Sequence, residues 1–295
     1  MAITVYPSFS FSERTTLRMG GSALAEVVLT HTDDCEQLSD TLLSLGGEPL
    51  VIGRGSNLLA KDGELPVVIV NPAITTEPVC VEETDETVTV HVGAGYRLPR
   101  FLNWCATHGY AGLEGLAGVP GTVGGAVAMN AGSYGCEVVD CLDSVEVFIK
   151  KIGTAVFKKT DVVLQYRHFS IPTVNDQPVI LSSVFRLNKK DPQEIKKVID
   201  DNLTRKKATQ PVSAHSAGCV FKNPAEGVSA GMLLDQCGFK GKIYGGVAFS
   251  PLHANFLVNV NNGTSKEAFE LLHIAQQTVL DVSGYSLELE VKVIG

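Results

Sequence analysis

Aromatic residues are scarce in this chain, at 7% with a single tryptophan, and charged residues make up only 19%. Set against 44% hydrophobic residues and a mean hydropathy of +0.15, that low charge excludes general disorder and indicates well-packed interiors. No run of about 18 apolar residues occurs, so no membrane-crossing helix is expected. Met1 to Ser12 contains neither a basic segment nor an apolar one behind it, and the reading is of a mature cytoplasmic protein. Positive charge is also short: 24 Lys and Arg face 32 Asp and Glu, for a net charge of −8 and a pI near 5.4. This balance opposes the broad basic surface that neutralises a nucleic-acid backbone. A small anionic ligand stays open, because a few backbone N–H groups and one or two cations suffice to hold a diphosphate. The seven cysteines are odd in number, scattered, and never spaced CxxC. A disulfide framework and a zinc ribbon are thereby excluded, and no metal site is expected.

What is present is enough chain, 295 residues, for two or three compact units. Periodicity predicts a strand at 25–29, a helix at 33–45 closed by Gly46-Gly47, a strand at 49–52, alternating strands around 79–81 and 87–92, and an amphipathic helix at 98–108. Strands at 144–149 and 178–187 follow a glycine-punctuated middle. Asp191-Pro192-Gln193-Glu194 opens a helix that runs to Arg205-Lys206-Lys207, a plausible domain end. Helices at 230–236 and 265–282 and a final strand at 286–294 complete a mixed α+β pattern. The division read from this is 1–70, 71–207 and 208–295.

Three segments carry candidate chemistry. Gly53-Arg54-Gly55-Ser56-Asn57-Leu58 follows a strand, so its backbone donors can approach a ligand; an empty hairpin or strand-to-helix turn weighs about equally. It lacks the third glycine of GxGxxG, which removes a Rossmann site. The second segment is Gly115 through Gly132, with Pro120, Gly121, Thr122, Gly124, Gly125, Ala126 and Asn130 among its members. It exposes many donors and suits a pyrophosphate, with Thr122 opening a helix; the competing reading is glycine for close packing. No GxxxxGK[ST] is present, which disfavours a P-loop. In the third, Ser216-Ala217-Gly218-Cys219-Val220-Phe221-Lys222-Asn223-Pro224, glycine lets the Cys219 thiol sit at a turn, against the default of an inert buried cysteine. Tyr166-Arg167, His253-Ala254-Asn255-Phe256 and Glu288-Leu289-Glu290 are scattered, and strand alternation places both glutamates on one face.

In this order the blocks resemble one family, the UDP-N-acetylenolpyruvoylglucosamine reductases, nearly end to end. The resemblance begins at Thr15 to Gly21, takes in the three segments, Gln210-Pro211 and Gly238-Phe239-Lys240-Gly241, and ends at Leu287 to Gly295. The shortness of the chain matches the compact type II subtype. The resemblance implies a two-subdomain FAD-binding fold of the vanillyl-alcohol-oxidase-like (PCMH) kind, with a smaller C-terminal α+β domain for substrate. It implies tightly bound, non-covalent FAD, NADPH as reductant, a UDP-sugar nucleotide as substrate, and a monomer. Gly53 to Leu58, the Pro120 to Ala126 segment, Asn130 and Gly132 become flavin sites. Tyr166, Lys222, Asn223, Lys240, His253 and Asn255 become substrate contacts.

The implied reaction adds hydride from the flavin to the enolpyruvyl methylene carbon, so charge develops toward the carboxylate. By the resemblance Arg167 stabilises that charge as a fixed cation and Glu290 as a protonated donor, while Cys219 stands where the family places a proton-donating serine. A thiol of pKa about 8.5 is far more acidic than an aliphatic hydroxyl and so preserves the role. Leu289 stands where a proline is common and Phe169 where a serine is common. Three other readings remain: a flavin oxidase, a hydrolase built on Cys219 and His253, and a non-catalytic nucleotide-binding module.

Overall fold

The computed structural model describes residues 3–295, so the first two residues of the N-terminal reading lie outside it. The chain divides into two compact units. One comprises the chain up to Pro7 with Ala25–Arg54 and Val67–Arg205; the other comprises Ser8–Leu24, Gly55–Pro66 and Lys206–Gly295. Neither unit is a continuous stretch of chain, whereas the sequence reading expected three consecutive domains.

The first unit is built on two sheets. One runs in the order Thr4–Tyr6, Ser22–Leu29, Glu64–Pro72, Glu48–Val51, with the last two strands parallel. The other is antiparallel, in the order Gly153–Lys158, Leu142–Ile149, Val179–Lys189, Thr87–Gly93, Val79–Glu83. Alternation does the sorting here: Val88, Val90 and Val92 point into one core while the residues between them point away. Helix Leu98–His108 lays Leu98, Phe101, Leu102 and Cys105 on that core at helical spacing, with Phe101 and Phe185 ring centroids 5.2 Å apart. Gly109, at φ 76°, ends the helix in the left-handed conformation that favours glycine.

The second unit has an antiparallel sheet in the order Ser216–Cys219, Phe256–Asn259, Val247–Phe249, Ile243–Tyr244, and the helices Ala230–Gln236 and Ser265–Ser283. Thr264 caps the longer helix through a reciprocal box with Glu267, and its stripe of Ala268, Leu271, Leu272, Ala275 and Val279 is buried. Leu17, Met19 and Leu59 enter the same core from the N-terminal part of the chain.

Most expected elements form close to where periodicity places them. The final strand is shorter than expected, Lys292–Ile294 rather than the whole of 286–294. Upstream of it Leu287 and Val291 are drawn into the core, the Leu287 carbonyl accepts from Gln276 Nε2 at 2.8 Å, and a lone bridge joins Leu289 to Phe221. Main-chain pairing there is limited to that bridge, flanked by the bonds from Lys222 N–H to the Glu288 carbonyl and from Glu290 N–H to the Val220 carbonyl. Among the described residues no helix is long and apolar enough to cross a membrane.

Candidate active site

In the first unit, the strand before Gly53 ends with the Ile52 N–H donating to the Val70 carbonyl. Gly53 then passes so close to Thr122 that a side-chain carbon on it would lie 2.6 Å from Thr122 Oγ1. Residues Arg97 and Thr122 form an antiparallel bridge, flanked by the bonds Leu98 N–H to Gly121 carbonyl and Val123 N–H to Tyr96 carbonyl. The N–H groups of Gly53, Arg54, Gly121 and Thr122 have no protein acceptor among the described residues. Arg97 is held below the usual arginine range by partial burial and then by the charges of Arg54 and Arg100. None of these three arginines forms an ion pair among the described residues. Unspent donors beside three crowded cations, in a protein of net charge −8, fit the diphosphate of a dinucleotide such as FAD.

The rest of the glycine-rich segment is used differently from the sequence reading. The N–H groups of Val123, Gly124, Gly125 and Ala126 are already donated, to the Tyr96 carbonyl, the Ala94 carbonyl, Thr122 Oγ1 and the Thr122 carbonyl. A side-chain carbon on Gly124 would meet Ala94 Cβ at 2.7 Å. Gly124 therefore permits close packing on Ala94, and Gly121 and Thr122 are the members of the segment whose N–H groups stay undonated among the described residues. Gly132 lies in a hairpin with Cys136–Glu137, where a side chain would press on Glu137. Asn130 is 1% exposed, and its side chain bonds only protein groups in the bonds observed, Glu137, Val139 and the Gln165 carbonyl. The amide expected at the flavin is thus bonded within the protein. Tyr166-Arg167 forms the two-residue turn between strands Val163–Gln165 and His168–Ser170, with the Arg167 guanidinium 4.8 Å from the Tyr166 ring centroid and φ of 57° at Arg167.

In the second unit Cys219 ends strand Ser216–Cys219, half-buried, directly after Gly218 at φ 82°. Its neighbour Val220 accepts from the Glu290 N–H at 2.8 Å, and Lys222 N–H donates to the Glu288 carbonyl at 2.9 Å. Cys219 and Glu290 thus stand on adjacent paired segments. Asn57 Nδ2 donates to the Glu290 carbonyl at 3.2 Å and the Asn57 carbonyl accepts from Lys292 N–H, so Asn57 braces Glu290. Gly55, at φ 61°, lies against Thr15, Ser56 is half-buried, and Leu58 starts the strand that pairs with Lys292–Ile294.

Asn255, expected at the substrate, is bonded to the main chain of Phe221. Its side chain is 2% exposed, accepts from the Phe221 N–H at 3.0 Å and donates to the Phe221 carbonyl at 2.8 Å. That two-way clamp shapes the Cys219 to Lys222 segment and leaves the amide little freedom to bind substrate. Asn223 Oδ1 accepts from Ala230 N–H at the start of a helix, and Lys222 pairs with exposed Glu288 at 3.3 Å. A cavity of about 440 Å³ is lined by Lys240 and His253 together with Ser229, Met232, Gln236 and Leu252. His253 Nδ1 accepts from the Asn255 N–H at 3.2 Å, and burial followed by the Lys240 charge pushes its pKa down, which favours the neutral ring. Lys240 Nζ is held by Asp235 at 3.1 Å. Arg97, Arg100, Ser229 and Gln236 carry no motif, and only the fold brings them to these places.

Residues 210–294 match the model of the UDP-N-acetylenolpyruvoylglucosamine reductase C-terminal domain, and residues 23–156 match that of an FAD binding domain. The UDP-N-acetylenolpyruvoylglucosamine reductase of Nitratidesulfovibrio vulgaris is 53% identical over 285 residues, covering 97% of this chain and 96% of that one. That of Oleidesulfovibrio alaskensis is 52% identical over 283 residues, 95% of each. The crystal structure of the Thermus caldophilus enzyme superposes with a TM-score of 0.83 at 31% identity, over 99% of this chain and all of the other. With an FAD-binding region and a reductase-specific C-terminal domain in one chain matched end to end, this protein belongs to the UDP-N-acetylenolpyruvoylglucosamine reductase family of FAD-binding oxidoreductases.

Proposed function

We propose that Cys219, Arg167 and Glu290 carry the reaction of this family in this chain, reduction of the enolpyruvyl group of UDP-N-acetylglucosamine enolpyruvate to UDP-N-acetylmuramate for peptidoglycan precursors, with NADPH as reductant. FAD, when bound, supplies the hydride that no side chain can. Gly53, Arg54, Gly121 and Thr122 hold its diphosphate. Residues 1–70 and 71–207 serve the cofactor and 208–295 the sugar nucleotide, in a cytoplasmic monomer.

Once the methylene carbon of the substrate has gained hydride, negative charge spreads over the neighbouring carbon and the carboxylate. Arg167 offsets it as a cation that never deprotonates at working pH. Glu290 offsets it by hydrogen bonding, with its main chain fixed through Val220 and Asn57. The Cys219 S–H bond then breaks as the proton passes to the carbon, and solvent reprotonates the thiolate. Lys240 and neutral His253 in their cavity meet the uridine diphosphate portion, the lysine by charge and the imidazole by its free ring nitrogen. Lys222, Asn223 and Tyr166 border the substrate.

The observation that carries this reading is the bond from Glu290 N–H to Val220, which sets the proton donor and the charge-stabilising carboxyl on neighbouring segments. Anaerobic stopped-flow absorbance tests it. NADPH should bleach the flavin of Cys219→Ala as it does the wild type, while re-oxidation by the enolpyruvyl sugar nucleotide should slow by roughly 100-fold or more, the span of general-acid catalysis. Cys219→Ser should re-oxidise. Equal turnover of Cys219→Ala and wild type would overturn the role.

A further inference from the structure

Asn130 stands where a flavin contact was expected, yet its side chain is spent inside the first unit. One amide hydrogen goes to Glu137 Oε2 at 2.9 Å and the other to the Gln165 main-chain carbonyl at 3.3 Å, while Oδ1 accepts from the Val139 N–H at 3.0 Å. Its backbone, at φ 37°, is left-handed, a conformation asparagine tolerates better than most residues. Its N–H donates to the Val127 carbonyl, which ties it to helix Val123–Ala128 behind Thr122.

The three partners lie on two separate pieces of chain. Glu137 ends the second strand of the hairpin that begins at Gly132, with Val139 just beyond it, and Gln165 is the last residue before the Tyr166-Arg167 turn. Arg167 is itself a non-glycine residue in the left-handed region, a strained state that persists only where its surroundings hold it. The Tyr166 ring supports the guanidinium, and the Asn130 amide grips the main chain one residue earlier.

We propose that Asn130 is a positioning residue for Arg167: by anchoring the Gln165 carbonyl to the glycine-rich segment, it fixes where the arginine turn stands relative to that segment. This rests on the reading of Arg167 as the cation that meets the substrate carboxylate. A purely structural asparagine would affect both half-reactions alike, whereas a positioning residue affects only the one that uses Arg167.

The test is the double variant Asn130→Asp, Glu137→Gln, in which amide and carboxyl trade places. The bond between positions 130 and 137 and the bond from Val139 N–H are both retained, and only the Gln165 carbonyl loses its donor. With the FAD-loaded protein, flavin bleaching by NADPH should match wild type, and the melting temperature should fall by only a few degrees, for the one carbonyl left without a donor. Re-oxidation by the sugar nucleotide should slow by roughly ten- to a hundredfold, the scale of a misplacement near 1 Å, in its limiting rate rather than in half-saturation. Arg167→Gln is measured in parallel and should show the same selective loss. If Arg167→Gln re-oxidises normally, the role of Arg167 fails and this inference with it. If Arg167→Gln is slow but the double variant is as fast as wild type, the inference alone is overturned. Equal loss of both half-reactions in the double variant also overturns it, since Asn130 would then serve the flavin.

Discussion

Seven cysteines looked alike as letters, and burial is what separates them. It pushes the Cys35 and Cys141 thiols up to about 12 and Cys136 to about 11, with nearby acidic or thiol groups adding to the effect, while Cys80 is exposed. A raised pKa means that the thiol keeps its proton: at pH 8 a group of pKa 12 is thiolate in only about one molecule in ten thousand. Brief iodoacetamide labelling at pH 8 should therefore modify Cys80 long before Cys35 or Cys141, read by peptide mass spectrometry. Labelling of Cys35 at the Cys80 rate would show that its burial is not maintained. Cys219 was picked out by its neighbours Gly218 and Phe221-Lys222-Asn223-Pro224, which are visible in sequence. The roles of Asn130 and Asn255 were not, because an amide that binds ligand and one that clamps a main chain are the same residue type, distinguished only by what lies within 3 Å.

At the scale of elements, local signals placed helices well. Leu98–His108 and Ala230–Gln236 have the bounds that apolar spacing and flanking glycine or serine predict. Thr264 shows the force of such signals: Thr264→Ala should cost about 1 kcal/mol, the typical loss of an N-cap, while the family reaction is retained. Chemical denaturation checks it, and an unchanged midpoint would mean that the cap is redundant. Periodicity overran the final strand, which is Lys292–Ile294; upstream, Leu287 and Val291 face a core while main-chain pairing is confined to a single bridge at Leu289. It also left the glycine segment ambiguous between ligand cradle and packing surface, and undonated N–H groups and close packing both occur within six residues. Gly121 and Thr122 keep their donors unspent, whereas Gly124 exists to let Ala94 approach.

Over the whole molecule, two cores belong to two units, and the proposed diphosphate donors Gly53, Arg54, Gly121 and Thr122 lie in the first. Ligand that binds only folded protein stabilises it by mass action, about 2.7 kcal/mol at a hundredfold excess over Kd. Adding FAD to flavin-stripped protein should raise the melting transition accordingly in calorimetry, and the gain should shrink in an Arg97→Gln, Arg100→Gln double variant. A flavin-dependent shift of the same size in both proteins would remove those arginines from the site. Sequence alone determined the α+β class, the acidic charge balance, the order of motif blocks and the family they imply, since these depend on composition, spacing and residue type along the chain. Only the tertiary structure decided that each unit draws on separate stretches of chain, that the charges of Arg54 and Arg100 act on Arg97, that Glu290 is bonded beside Cys219, and that Asn130 and Asn255 face inward. Each of these depends on contact between residues far apart in the chain, which local periodicity does not encode.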